Sequence, residues 1–193
     1  MLHRIREAFP VGAAKPRGTV EVDETYVGGK QRNRHRAKRL LHSGENFWGK
    51  KPVVGAIQRD GPVVVAVIDT PDADTLTRFG ERHVRHGSNV YTDDHGGYED
   101  LMESYRHRTV KHSRGEYVNR DNPETHSQSI ESWSGLKRSY IGVHHWWSRK
   151  HLRRHVEAAA GRHNLRRLPA LDRMAATWRG MEGKRLRYRD LVA

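Results

Sequence analysis

Two β-branched runs, residues 52–59 and 62–69, stand on either side of Asp60-Gly61. Asp-Gly between two such runs is a strong short-range hairpin signal. A third run, residues 19–27, alternates apolar and polar side chains and stops at Gly28-Gly29, so its period of two makes it a strand as well. Alternation divides its side chains between two faces. Glu21, Asp23 and Thr25 share one, and Val20, Val22 and Glu24 share the other. The early part of the chain is thus committed to sheet, and an acidic residue sits in the middle of the first strand.

From residue 72 onward, helix and strand alternate. Residues 72–86 carry Leu76, Phe79 and His83 on one stripe, with Asp72 or Asp74 at the cap. Residues 88–93 form a short strand that ends on a carboxylate, 95–105 a short helix, and 108–112 a further strand. Asn122-Pro123 starts a helix that runs to Tyr140 and is ended by Gly142. Ser148 caps a last helix with Leu152, Val156, Ala159 and Ala160 on one face. Ahead of the first strand, Leu2, Ile5 and Phe9 read as the end of a helix, followed by a linker rich in Gly, Pro and Ala. The order suits an α/β fold, a mixed sheet of three antiparallel strands, then parallel strands, flanked by helices, and one architecture with that order is the ribonuclease H-like fold. The expected divisions are a helical segment and linker over 1–18, a ribonuclease H-like domain over 19–166, and a basic tail over 167–193.

Charge says what such a fold would meet. The chain of 193 residues has 36 Lys and Arg against 23 Asp and Glu, a formal net charge of +13. That balance suits a polyanionic partner, most simply nucleic acid. No apolar run approaches the roughly 20 residues of a membrane span, and Met1 to Pro10 do not form a signal peptide. A cytoplasmic setting without a membrane partner is the expectation. There are no cysteines, hence no disulfide and no cysteine-ligated zinc.

Three carboxylates stand out against this basic background. Asp23 interrupts an apolar strand, where burial costs free energy unless a cation is near; an edge strand facing solvent is the ordinary alternative. Asp93 ends a strand, the place where ligands collect in open α/β sheets; a turn or helix cap is its alternative. Glu131 lies beside the Ile130 and Trp133 stripe of the helix after Pro123, with a solvated helix face as its alternative. Two strand aspartates and a helix glutamate can converge above one sheet. Hard oxygen donors of this kind hold Mg²⁺ together with substrate phosphate oxygens, and paired ions clamp the attacking and leaving oxygens of a displacement at phosphorus.

The segments around these residues resemble the ISXO-like insertion-sequence transposases. The first-aspartate motif is Val20-Glu21-Val22-Asp23-Glu24-Thr25-Tyr26-Val27-Gly28-Gly29-Lys30, and the second is Tyr91-Thr92-Asp93-Asp94 with Tyr98. The third is His126-Ser127-Gln128-Ser129-Ile130-Glu131-Ser132-Trp133-Ser134-Gly135-Leu136-Lys137-Arg138. Lys111-His112-Ser113 with Glu116-Tyr117-Val118, Lys150-His151-Leu152 and Arg162-His163-Asn164 match in the same order. The resemblance runs from about Leu2 to Arg166. It implies a DDE-type enzyme that needs Mg²⁺, or Mn²⁺, to cleave DNA at the ends of an element and transfer the strands to a target. It implies Asp23 and Asp93 as metal ligands, with Glu131 as the third and Gln128 as the other candidate for that place. Lys137 or Arg138 would contact phosphate near the scissile bond.

DNA contacts are expected from Lys30, Arg32, Arg34, Lys38 and Arg39 in the basic loop, and from Lys111, Arg138, Lys150 and Arg153. A homo-oligomer on paired ends is a further implication. Family members carry a cysteine-rich zinc ribbon ahead of the first aspartate, and the expectation is that this chain lacks it. The fourteen histidines include His144-His145, His151 and His155, an i,i+4 pair among them; Leu152 stands where a zincin would have Glu, so they are read as additions to the DNA surface. Trp146-Trp147 are read as core or interface. Two rival functions share the same residues: a nuclease of the same fold that hydrolyses without joining, and a basic DNA-binding protein without catalysis.

Overall fold

The computed structural model describes residues 2–9, 14–29, 35–36, 50–93, 96–98, 105–110, 140–144 and 146–192. The strands are β1 (Thr19–Val27), β2 (Lys51–Gln58), β3 (Val63–Val67), β4 (Asn89–Asp93) and β5 (Arg106–Val110). The helices are α1 (Leu2–Ala8), α2 (Ala73–His83), α3 (Arg149–Asn164), α4 (Ala170–Arg179) and α5 (Tyr188–Val192), with a π-helical turn over Tyr140–His144. The five strands form one sheet in the order β3-β2-β1-β4-β5. β1 pairs antiparallel with β2, and β2 with β3; β1–β4 and β4–β5 are parallel. Three antiparallel strands followed by two parallel ones, with helices on the faces, is the ribonuclease H-like arrangement the element order calls for.

The alternation in β1 decides what each face buries. Val20 and Val22 pack with Val54, Ala56, Val90, Tyr98 and the α2 residues Leu76 and Phe79. Val27 packs on the other face with Val53, Ile57, Val63 and the α3 residues Leu152, Val156 and Ala160. Burying each Leu or Phe side chain contributes about 1.5–3 kcal/mol, so both helices are held chiefly by their apolar stripes. Asp72 caps α2, its Oδ1 accepting from the Thr75 backbone N–H at 2.8 Å. Asn164 ties the end of α3 to edge strand β3. Its Nδ2 donates to the Val63 carbonyl at 2.9 Å, and its Oδ1 accepts from the Val63 N–H at 2.8 Å. The amide thereby satisfies backbone groups that an edge strand otherwise leaves open.

Several elements differ from the sequence expectation. The hairpin forms between β2 and β3 as expected, with Asp60 in the left-handed region at φ 54°. Gly61 serves close approach, because a Cβ there would lie 2.6 Å from the Gln58 side chain. The fifth strand begins at Arg106, two residues earlier than expected. Gly142 lies within the π-helical turn and does not end a helix. Ser148 occupies the N-cap position with extended backbone, yet its side chain makes no capping hydrogen bond. The tail is largely helical: Leu171, Met174 and Trp178 form an exposed apolar stripe on α4, which the surrounding arginines obscured. The expected helices over 95–105 and 123–140 fall largely or wholly outside the described residues.

Candidate active site

Asp23 and Asp93 come from β1 and β4, which are neighbours inside the sheet. An edge-strand position for Asp23 is therefore excluded. The parallel register pairs Thr19 with Asn89, Val20 with Val90, and Glu21 with Tyr91. The paired ladder stops there while both strands run on, and the same register continued for two residues sets Asp23 level with Asp93. Registered residues of parallel strands share a face, so both aspartates belong to the face covered by α3. Asp93 is the last residue of β4, where open α/β sheets take ligands, and Asp23 stands at the middle of the longer β1. Both side chains are half-buried.

Two tyrosines sense the negative charge gathered here. The Tyr26 hydroxyl is pushed up to about 12, by burial first and then by the carboxylates of Glu24, Asp93 and Asp23. Tyr98 is raised well above its ordinary value, again by burial first, then by Glu24, Asp23 and Asp93. Both therefore stay protonated at neutral pH. Tyr98 uses its proton to donate to Glu24 Oε2 on the α2 face of the sheet, which separates Glu24 from the aspartate pair.

Two features of this face were not anticipated. Glu21, fully buried, lies two residues before Asp23 on the same side of β1. Arg59 Nε donates to its Oε1 at 2.8 Å, and the guanidinium carbon stands 5.1 Å from the centre of the Tyr91 ring. A buried carboxylate needs such a partner; the signal was Arg59 just after β2, but nothing in sequence spacing links it to Glu21. The second feature is on β5. Arg106 pairs in register with Asn89, and Arg108 with Tyr91, so both exposed arginines project on the aspartate face. Their period of two was the available signal.

Of the other expected residues, Lys150 and Arg153 lie exposed in the first turns of α3, and Arg153 Nε is paired with Glu157 Oε1 at 2.8 Å. Glu131, Gln128, Lys137, Arg138, Lys111, Lys30, Arg32, Arg34, Lys38 and Arg39 lie outside the described residues. The two aspartates offer hard oxygen donors of the kind that suits Mg²⁺ or Mn²⁺. Among the described residues, no three His or acidic side chains are grouped to hold a metal.

The histidines gather elsewhere. The His3 and His151 ring centres lie 4.5 Å apart, His144 and His155 5.0 Å apart, and His155 stacks on Trp147 at 4.7 Å. Burial first, then Arg6 and the neighbouring imidazoles, push His155 down to about 3. At neutral pH it therefore adds no charge to a DNA surface, contrary to the expectation for it. Trp147 is buried while Trp146 is exposed.

No helix among the described residues is long and apolar enough to cross a membrane. No curated protein matches the chain. The family model for the ISXO2-like transposase domain matches residues 15–164, a span that opens just before β1, closes on Asn164 and includes both aspartates. With that span covering most of its length, the chain belongs to the ISXO2-like transposase domain family.

Proposed function

We propose that the chain is a DDE-type transposase that cleaves the DNA of an insertion sequence at its ends and transfers the strands to a target, with Mg²⁺ or Mn²⁺ held by Asp23, Asp93 and Glu131. The observation that carries this reading is that Asp23 and Asp93 come from neighbouring parallel strands, on the same face by the alternation of their ladder. Carboxylates repel a phosphodiester unless a cation intervenes, so a pair of them in a chain of net charge +13 suits a metal-dependent site better than a plain binding surface. A divalent ion bound there supplies positive charge to the phosphate oxygens and makes the attacking hydroxyl more acidic. Asp23 and Asp93 fix its position from rigid strands. The Glu21–Arg59 pair keeps the strand beneath them in register, and Arg106 and Arg108 are placed to meet phosphates arriving over β5. Lys137 or Arg138 has the same task from the third motif, and two copies act together on paired ends.

The test is cleavage of a duplex carrying a cognate end, with and without Mg²⁺. Asp23→Asn and Asp93→Asn should each lower cleavage by more than about 100-fold, since even outer partners of metal ligands are worth about 10–100-fold. Duplex binding should be retained. Glu131→Gln should match them and Gln128→Ala should not; the reverse order moves the third position to Gln128. Undiminished cleavage by Asp23→Asn would sink the metal site. Cleavage without joining to a target plasmid would make the chain a nuclease.

A further inference from the structure

A groove of about 810 Å³ lies away from the sheet, between the start of α3, helix α1 and the segment after α4. Six cations line it: Arg4 from α1, Lys150, Arg153 and Arg154 from α3, and Lys184 and Arg185 from the returning segment. Among the described residues Glu7 is its one acid, and Glu7 serves as a strut. Its carboxylate pairs with Arg154 at 2.5 Å, and its backbone carbonyl accepts from Lys184 Nζ at 2.7 Å. Close packing fixes the three walls. A Cβ on Gly161 of α3 would lie 2.6 Å from Phe9 Cβ, and one on Gly180 would overlap the Ala8 carbonyl oxygen.

Like charges gathered at this density repel one another unless an anion joins them. Arg153 and Arg154 have carboxylate partners, whereas Arg4, Lys150 and Arg185 have no ion pair among the described residues. The groove is larger than a single phosphate group fills, and its cations come from three separate segments. Phosphates spaced about 3.4 Å along the axis for each strand of a duplex match that spread better than one small anion does. Position also argues for DNA. Asn164 pins the far end of α3 to Val63, while Trp147, just before α3, packs against Val27 and Val53. The basic start of α3 therefore lies toward the end of the sheet where β1 finishes, the end at which the parallel strand β4 carries Asp93.

We infer that this groove is a second DNA-contact surface, which grips the sugar-phosphate backbone through Arg4, Lys150 and Arg185 without reading sequence. The inference rests on the transposase reading, and half of the groove's charge-bearing walls, Arg4, Lys184 and Arg185, lies outside the span matched by the family model.

The experiment is fluorescence anisotropy of the full-length chain on a labelled duplex over a series of salt concentrations. Each phosphate contact contributes a slope of about 0.9 in a log–log plot. The double variant Arg4→Gln with Arg185→Gln should lower the slope by about 1.8, equally for unrelated duplex sequences. Arg78→Gln with Arg82→Gln, on α2 across the sheet, removes the same charge and should leave the slope unchanged. Far-ultraviolet circular dichroism checks that each variant is folded, and the single variant Arg185→Gln, in an exposed segment, provides a milder second reading with a drop of about 0.9. An unchanged slope in the groove variants overturns the groove and leaves the transposase reading intact. Equal losses in both double variants would mean that net charge alone matters, which also overturns it. Absence of salt-dependent duplex binding by the unaltered chain fails both readings together.

Discussion

Glu21 and Asp23 sit two residues apart on one face of β1, yet they answer to different requirements. Glu21 is fully buried and held by Arg59, whereas Asp23 lies half-buried where the β1–β4 ladder has already ended. The first serves stability, and the second is the one the proposed function assigns to a metal ion. Arg59→Met removes the guanidinium from a buried carboxylate and should cost about 3–5 kcal/mol of folding stability. Adding Glu21→Leu to it should restore much of the loss, because an apolar pair leaves no charge to desolvate. Urea unfolding midpoints of the single and double variants measure this, and a single variant as stable as the parent would show that the pair is not needed. At this scale the sequence marked Asp23 and Asp93 as unusual through their places in strand patterns. It did not mark Arg59, Arg106 or Arg108, because their roles depend on which strands become neighbours.

Helix α3 shows what an element adds. Its apolar stripe covers one face of the sheet, Asn164 finishes β3, and His155 is drawn into a cluster with His144, His3 and Trp147. Burial and the neighbouring cations hold His155 near 3 in the folded chain, against an ordinary value of 6.5. Between those two values the unfolded chain takes up a proton that the folded chain refuses, so stability is full above about pH 6.5 and falls as pH drops toward about 3. His3, His151, His83, His107 and His163 are shifted in the same direction. The melting temperature should therefore hold level above about pH 6.5 and decline from there to about pH 4, and His155→Gln should flatten the decline. A parent profile without any fall over that range would contradict the neutral cluster. The stripe of α3 was legible from its spacing of three and four. The histidine cluster was not, because His3 arrives from a helix far away in sequence.

At the scale of the whole molecule, charge and topology meet. A chain of net charge +13 that binds a polyanion through several Lys and Arg contacts releases counterions with each one, and affinity should fall steeply as salt rises. Titration of a duplex at low and at physiological salt tests this; nearly equal affinities would remove nucleic acid as the partner. The sequence by itself determined the local elements and the polarity of the partner, since period two, period three-to-four, turn residues and net charge are all written in neighbouring residues. It also carried the family's motifs, matched over residues 15–164. Tertiary structure alone decided which strands lie side by side, and hence that Asp23 and Asp93 come from neighbouring strands inside the sheet and that Arg59 reaches Glu21. It also turned the basic tail into a wall of a groove facing α1 and α3. The physical reason is that long-range pairing is set by burying apolar faces against one another, and a face acquires its neighbour only when the whole sheet has closed around its core.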